Sequence, residues 1–463
     1  MAQEHRQILQ GAAGGLAGRR MTAEEVHPSL AKHILVDGYD FVLDLGASTG
    51  MWLHDALSQR RFLDMFSFFS SAPLGINPSE LVDDQDFMSR LAAGAVNKPA
   101  NPDVYTVEYA QFVETFARVL GDPALPHLFF VDGGALAVEN AVKAAFDWKA
   151  QRRAGAGPAG EEDLAVLHLE GAFHGRSGYT MSLTNTDPAK TALFPKFHWP
   201  RIPAPAARFP LARHEAANAA AERRSLDAAK AAFERAEGRI ACFIAEPIQG
   251  EGGDNHLRPE FLLAMQALCH EHDALFVLDE VQTGGGITGT PWTYQQLGLE
   301  PDLVAFGKKT QVCGVMGGRR IDEVPGNVFR VSSRISSTWG GNLADMIRAT
   351  RIFEVIERDQ VFAAAARRGA YLLAGLEDLA RAHPDLLDNP RGRGLMCAVD
   401  LPSRAVRDDI VRRMYADECV LVLPCGDRGL RFRPPMTITE AHIDLALAAL
   451  DTCLNKTAMA AVS

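Results

Sequence analysis

Lys308 closes an apolar run, Pro301–Lys308, and Asp279 stands at the end of a second, Ala274–Glu280. Burial disfavours the charged form of a lysine, and a neutral amine at the end of a buried strand attacks carbonyls, as Schiff-base chemistry requires. A carboxylate such as Asp279 can pair with a protonated pyridine nitrogen. The two together suggest pyridoxal phosphate, whose bound form needs both groups. The alternative for Lys308 is a lysine that snorkels to solvent, and Lys309 next to it reads as a surface residue. Leu275–Glu280 also has the texture of the magnesium-binding strand of a P-loop ATPase. That reading needs Gly-x-x-x-x-Gly-Lys-Ser/Thr, whereas the first glycine position is Asp302 and Lys309 follows Lys308.

Other segments place polar groups where a ligand could meet them. Gly133-Gly134-Ala135 lies between a strand and a helix, a candidate phosphate cradle or an ordinary tight turn. In Phe173-His174-Gly175-Arg176, Phe173 could stack on a planar ring and Arg176 hold a carboxylate; a core Phe and a surface Arg are the alternative. Ala245–Gly253 ends an apolar strand with Glu246, Glu251 and three glycines, which would let the backbone bend or move around something. Glu246 is expected to bind backbone or a basic neighbour and to take no part in the chemistry. Ser336 to Gly341 offers hydroxyls for a phosphate contact or a turn. Arg431 and Arg433 alternate along one strand and are expected on opposite faces, one at a site and one in solvent.

The elements that would carry these residues alternate strand and helix, the pattern of an α/β domain with a largely parallel sheet. Strands are expected at 128–131, 164–169, 240–245, 274–278 and 303–306, and helices at 137–151, 215–237 (exposed) and 259–272, with a loop at 152–163. Beyond Gly341 the texture shifts to two long helices over 342–380. Strands at 395–401, 420–424 and 430–433 follow, with helices at 405–417 and 440–455 and a frayed end from Ala458. This suits a smaller α+β domain completed by Val36–Leu53.

The chain has 463 residues, 47% hydrophobic and 23% charged, with a net charge of −11. This is a soluble globular composition, and the charge disfavours generic nucleic-acid binding. No apolar stretch approaches a membrane span, and Met1–Arg20 lacks the apolar core of a leader, so a cytoplasmic location without membrane contact is expected. Seven scattered cysteines without a Cys-x-x-Cys pair speak against a disulfide framework or structural zinc, and no metal site is expected. Cys313 reads as a small buried residue or a redox-sensitive one.

Leu278-Asp279-Glu280-Val281-Gln282-Thr283-Gly284, Pro301-Asp302 and Phe306-Gly307-Lys308, in that order and spacing, resemble the class III aminotransferases from about Pro28 to Asp451. The resemblance implies a fold-type I α/β architecture, a large domain with a mostly parallel sheet flanked by helices plus a smaller α+β domain. The segment 1–75 would serve the small domain and dimer interface, 76–344 the cofactor domain and 345–463 the small domain. It implies pyridoxal 5'-phosphate on Lys308, with Asp279 at the ring nitrogen, Gln282 near the phenolic oxygen, Phe173 on the ring, and Gly134 and Ala135 at the phosphate. Thr338 would reach the cofactor of a second subunit in a homodimer. Arg431 would bind the α-carboxylate of glutamate or 2-oxoglutarate, paired with Glu251 when another substrate is bound, while Arg176 and Ser336 would contact substrate. Many members have Gly-Ser-Glu or Gly-Thr-Glu where Gly134-Ala135-Leu136 stands, so one hydroxyl to phosphate is missing. Phe173–Asn185 and Phe306–Gly317 resemble the branch that acts on the ε-amine of L-lysine, although Asn is expected there at Ser336. Ornithine, 4-aminobutyrate or a diamine are the alternative donors.

Overall fold

The computed structural model describes residues 21–153 and 164–462, with side chains to 459. The expectations for Met1–Arg20 and for most of the 152–163 loop lie outside those residues. Two strands, β1 (Trp52–His54) and β2 (Arg61–Asp64), precede the main α/β unit, which opens with β3 (His127–Val131). Within it come β4 (Ala165–Leu169), β5 (Arg201–Ile202), β6 (Ile240–Ala245), β7 (Ile248–Gln249), β8 (Asn255–His256), β9 (Leu275–Asp279), β10 (Leu303–Phe306) and β11 (Cys313–Gly317). The C-terminal part adds β12 (Asp388–Arg393), β13 (Met396–Asp400), β14 (Val420–Leu421), β15 (Leu423–Cys425) and β16 (Gly429–Phe432).

The central sheet has seven strands in the order β3-β11-β10-β9-β6-β4-β5, with β11 antiparallel to both of its neighbours and the others mutually parallel. Continuous apolar runs suit this position, because a parallel strand covered on both faces has no solvent side. In β9 the alternation then chooses between two cores. Leu275 and Val277 pack with Ala141, Ala145 and Trp148 of helix Gly134–Arg152, whereas Phe276 and Leu278 pack with Phe261 and Met265 of helix Pro259–Glu271. Parallel pairing sets Asp279 opposite Ala305, three positions before Lys308.

Strand and helix bounds fall within a few residues of expectation, with instructive departures. The helix expected at 215–237 spans Leu211–Ala236, and one face is buried, including Glu222 held by Arg258 at 2.6 and 2.7 Å. The run Val420–Pro424 divides between two sheets, β14 in β1-β2-β14 and β15 in the four-stranded β12-β13-β16-β15. Within Val36–Leu53, Tyr39, Phe41 and Leu43 pack against Leu421 and Leu423 and Asp40 accepts from Tyr415 Oη, and the N-terminal contribution extends through β1 and β2 to Asp64, with β2 parallel to β14. Helix Glu440–Val462 runs past Ala458, longer than the expected 440–455. Among the described residues no helix is long and apolar enough to cross a membrane.

Candidate active site

The carboxyl ends of β3, β4, β6, β9 and β10 converge, the place where open α/β sheets bind ligands. They surround a cavity of about 560 Å³ lined by Gly134, Ala135, Phe173, Arg176, Asp279, Gln282 and Lys308, with His174, Glu246, Gln311, Cys313 and Arg348 completing the wall. Lys308 is not the last residue of a strand. β10 stops at Phe306, and Lys308 opens a 3-10 turn, Lys308–Thr310, with φ of +56°. That conformation is costly for a residue with a Cβ, and such strain concentrates at functional positions. Among the described residues no hydrogen bond or ion pair holds its amine. Burial, then the Arg431 guanidinium, lowers its pKa against the opposing pull of Asp279.

Lys309 is no surface residue. It is 2% exposed and donates to Ser70 O, Ser70 Oγ and Gln282 O at 3.3, 3.0 and 2.8 Å. It thereby ties the 67–70 turn, in which all four residues have positive φ, to the end of the sheet. Phe69 of that turn stands 5.8 Å from Lys308 Nζ, ring centroid to nitrogen.

Asp279 is 5% exposed, accepts from Val281 N at 3.0 Å and meets His174 Nδ1 at 2.7 Å. Burial works against a charged His174, but Asp279 and then Glu246 outweigh it and raise the imidazole pKa. The His174 contact fixes the position of the Asp279 carboxylate at the end of β9. Glu246 accepts from Phe173 N and Gly250 N at 3.0 and 3.1 Å, so it shapes the loop behind Phe173. Burial pushes its pKa up to about 7.

Arg431 and Arg433 share a face, as residues two apart on a strand must, and both are buried. The expectation of opposite faces fails on that geometry. Arg433 binds Asp254 Oδ1 at 2.5 Å and Gln282 Oε1 at 3.2 Å, while Arg431 donates to Glu251 Oε2 at 3.0 Å. Among the described residues, Arg431 Nε and Nη1 are buried without a hydrogen-bond partner. A Cβ on Gly252 would lie 2.1 Å from Gly171 O, one on Gly250 2.5 Å from Gln282 Oε1, and Glu251 O accepts from Gly426 N at 3.0 Å. Gly250 and Gly252 thus allow close approach of the loop to Gln282 and Gly171. Ser336 and Thr338 are exposed and do not line the cavity. No role is expected for His174 or Lys190 from the sequence, and Lys309 and one of the two arginines are expected in solvent; the two-residue spacing of the arginines is the one usable signal.

These parts make a transaminase site, and the chain belongs to the class III aminotransferases, whose family description, "Aminotransferase class-III", matches residues 36–454. It is 68% identical to the L-lysine-epsilon aminotransferase of Streptomyces clavuligerus, over 94% of this chain and 95% of that one. It is 60% identical to the enzyme of that name from Mycobacterium tuberculosis, over 95% and 97%. A solved structure titled lysine aminotransferase from M. tuberculosis in the internal aldimine form superposes with a TM-score of 0.91 at 59% identity, covering 94% of this chain and 99% of that one. The cofactor is pyridoxal phosphate, and the residues fit it. The unpartnered Lys308 amine and the anchored Asp279 carboxylate face one cavity, and at its wall a helix begins at Gly134, where a Cβ would come within 2.9 Å of Val281. The first N–H groups of that helix have no acceptor within it, as an anion site requires.

Proposed function

We propose that the chain acts as an L-lysine 6-transaminase, moving the ε-amino group of L-lysine to 2-oxoglutarate to give 2-aminoadipate 6-semialdehyde and L-glutamate in two alternating half-reactions. The observation that carries this reading is the Glu251–Arg431 pair at 3.0 Å. Glutamate carries a carboxylate one bond from its reacting carbon, so a cation must stand near the cofactor. Lysine reacting through its ε-amine puts methylenes there instead, and a desolvated, unpaired Arg431 would be strongly unfavourable. Glu251 neutralises Arg431 for lysine and turns aside for the dicarboxylate, whose α-carboxylate takes the guanidinium donors. Arg176, exposed at the cavity wall, meets the distal carboxylate.

Pyridoxal phosphate supplies the carbonyl that accepts nitrogen and the ring that draws electrons from the substrate carbon. Asp279, positioned by His174, would hold the proton on the ring nitrogen. Lys308, with its lowered pKa, carries the cofactor at rest and moves the proton at the substrate carbon once displaced. Phe173 stacks on the ring, Gln282 lies by its phenolic oxygen, and Gly134 and Ala135 hold the phosphate through backbone N–H groups. Thr338, exposed in a single chain, reaches the site of a second subunit in a homodimer, and Ser336 contacts substrate. We assign 1–75 a contribution to the small domain and the dimer interface, 76–344 to the cofactor domain and 345–463 to the small domain; the pairing of β2 with β14 supports the first of these. The enzyme works in the cytoplasm. The test is purified protein with 2-oxoglutarate and a panel of lysine, ornithine, 4-aminobutyrate and diamines. Lysine should give the highest kcat/KM for glutamate formation, and a higher value for any other donor overturns the assignment.

A further inference from the structure

Glu251 is shared between two cations. Arg431 holds Oε2 at 3.0 Å from β16, and Lys190, the last residue of the 3-10 turn Pro188–Lys190, holds Oε1 at 2.5 Å. Lys190 Nζ also stands 5.4 Å from the centroid of the Phe173 ring. Arg431 is almost fully buried, whereas Lys190 and Glu251 keep 25% and 33% of their side-chain exposure. The backbone at Glu251 is pinned by Gly426 N and by the contact of Gly252 with Gly171. The carboxylate can therefore leave Arg431 only by rotation of its own side chain. If Arg431 were its sole partner, leaving would strand a half-buried anion.

We propose that Lys190 is a specificity-determining positioning residue, the second anchor on which Glu251 pivots, so that the carboxylate stays neutralised when a dicarboxylate takes Arg431. Lys190 thus lowers the cost of the state that admits 2-oxoglutarate or glutamate and leaves the lysine-bound state, with Glu251 on Arg431, nearly untouched. Glu251 stays acidic for the same reason. Burial raises its pKa, but the Lys190 hydrogen bond followed by the Arg431 charge more than offsets that and lowers it. The proposal rests on Glu251 masking Arg431 in the lysine half-reaction.

The test uses holoenzyme with Lys190→Met, which keeps the length of the side chain beside Phe173 and removes its charge, and Lys190→Arg. One readout is equilibrium binding of glutarate, an unreactive dicarboxylate, by calorimetry; the other is KM and kcat of each half-reaction. Lys190→Met should weaken glutarate binding and raise the KM for 2-oxoglutarate by roughly two- to fivefold, the range for a partly exposed ion pair, with little change in kcat or in the KM for lysine. Lys190→Arg should restore both. Equal weakening toward lysine and glutarate, no change in either, or failure of Arg to restore overturns the proposal. Glu251→Ala in parallel separates the two ideas. If it affects both halves alike, the masking role fails and this proposal with it; if it is selective while Lys190→Met is not, only the anchor fails.

Discussion

Removal of Glu251 should impair the two half-reactions very unequally. In Glu251→Ala the Arg431 guanidinium, 3% exposed, loses its carboxylate partner while Nε and Nη1 already have none. Breaking a buried pair by removing one partner costs about 3–5 kcal/mol. Glu251 is one-third exposed, so water entering its place should hold the loss to roughly 1.5–3 kcal/mol. At about 1.4 kcal/mol per factor of ten, kcat/KM for lysine should fall roughly ten- to hundredfold. The dicarboxylate brings its own partner for Arg431 and no longer competes with Glu251, so its half-reaction should hold or improve. Single-turnover absorbance of the cofactor follows each half separately. Equal losses in both halves, or a greater loss with glutamate, would refute the masking argument.

Borohydride reduction followed by peptide mapping should find the cofactor mass on Lys308. Finding it on Lys309 contradicts the geometry, since that amine is spent on Ser70 and Gln282. Asp279→Ala should retain cofactor by absorbance yet lose about a hundredfold or more in turnover, the scale of a lost preorganised electrostatic partner; near-normal turnover would remove Asp279 from the chemistry. Glu246 carries a pH signature in stability. Its pKa rises from 4.5 to about 7 on folding, so the folded state binds more protons in that window and stability falls as pH rises through it. The slope from one such group is at most about 1.4 kcal/mol per pH unit. Glu246→Gln should flatten the fall of the denaturant midpoint between those two pH values, and an unchanged profile would show that Glu246 ionises freely.

The buried strands were legible because burial leaves a simple trace. β6, β9 and β10 are unbroken apolar runs, and runs of that kind need helices on both faces, which the intervening segments supply. Legibility fell where an element serves two masters. Val420–Cys425 is one extended stretch in sequence, yet its halves pair with β2 and β16, and no local preference records where a strand changes partner. The face of Leu211–Ala236 buried against the sheet is hidden for a related reason. Its Ala-, Glu- and Arg-rich composition is that of an exposed helix, and Glu222 goes inside only because Arg258, 36 positions away, meets it there.

The site shows the same division between what one segment contains and what two segments make together. Lys308 and Asp279 each end an apolar run, so a charged group at a buried strand end marked them. Lys309 was misplaced because its neighbour was treated as the end of a strand, whereas the positive φ at Lys308 turns the chain and sends Lys309 into the carbonyls of Ser70 and Gln282. Arg431 and Arg433 could have been placed correctly from period two alone, since a strand that aims one at the site aims the other there as well. Both cations then need acids, and the Glu251 to Asp254 loop provides one for each, at 3.0 and 2.5 Å. The two pairs differ where function differs. Arg433–Asp254 is sealed, with side-chain exposures of 1% and 0%, and fixes the loop and Gln282; Arg431–Glu251 is open on the acid side and can part. On the masking proposal, a fixed pair beside a movable one would let the site change its charge for a second substrate without changing its shape.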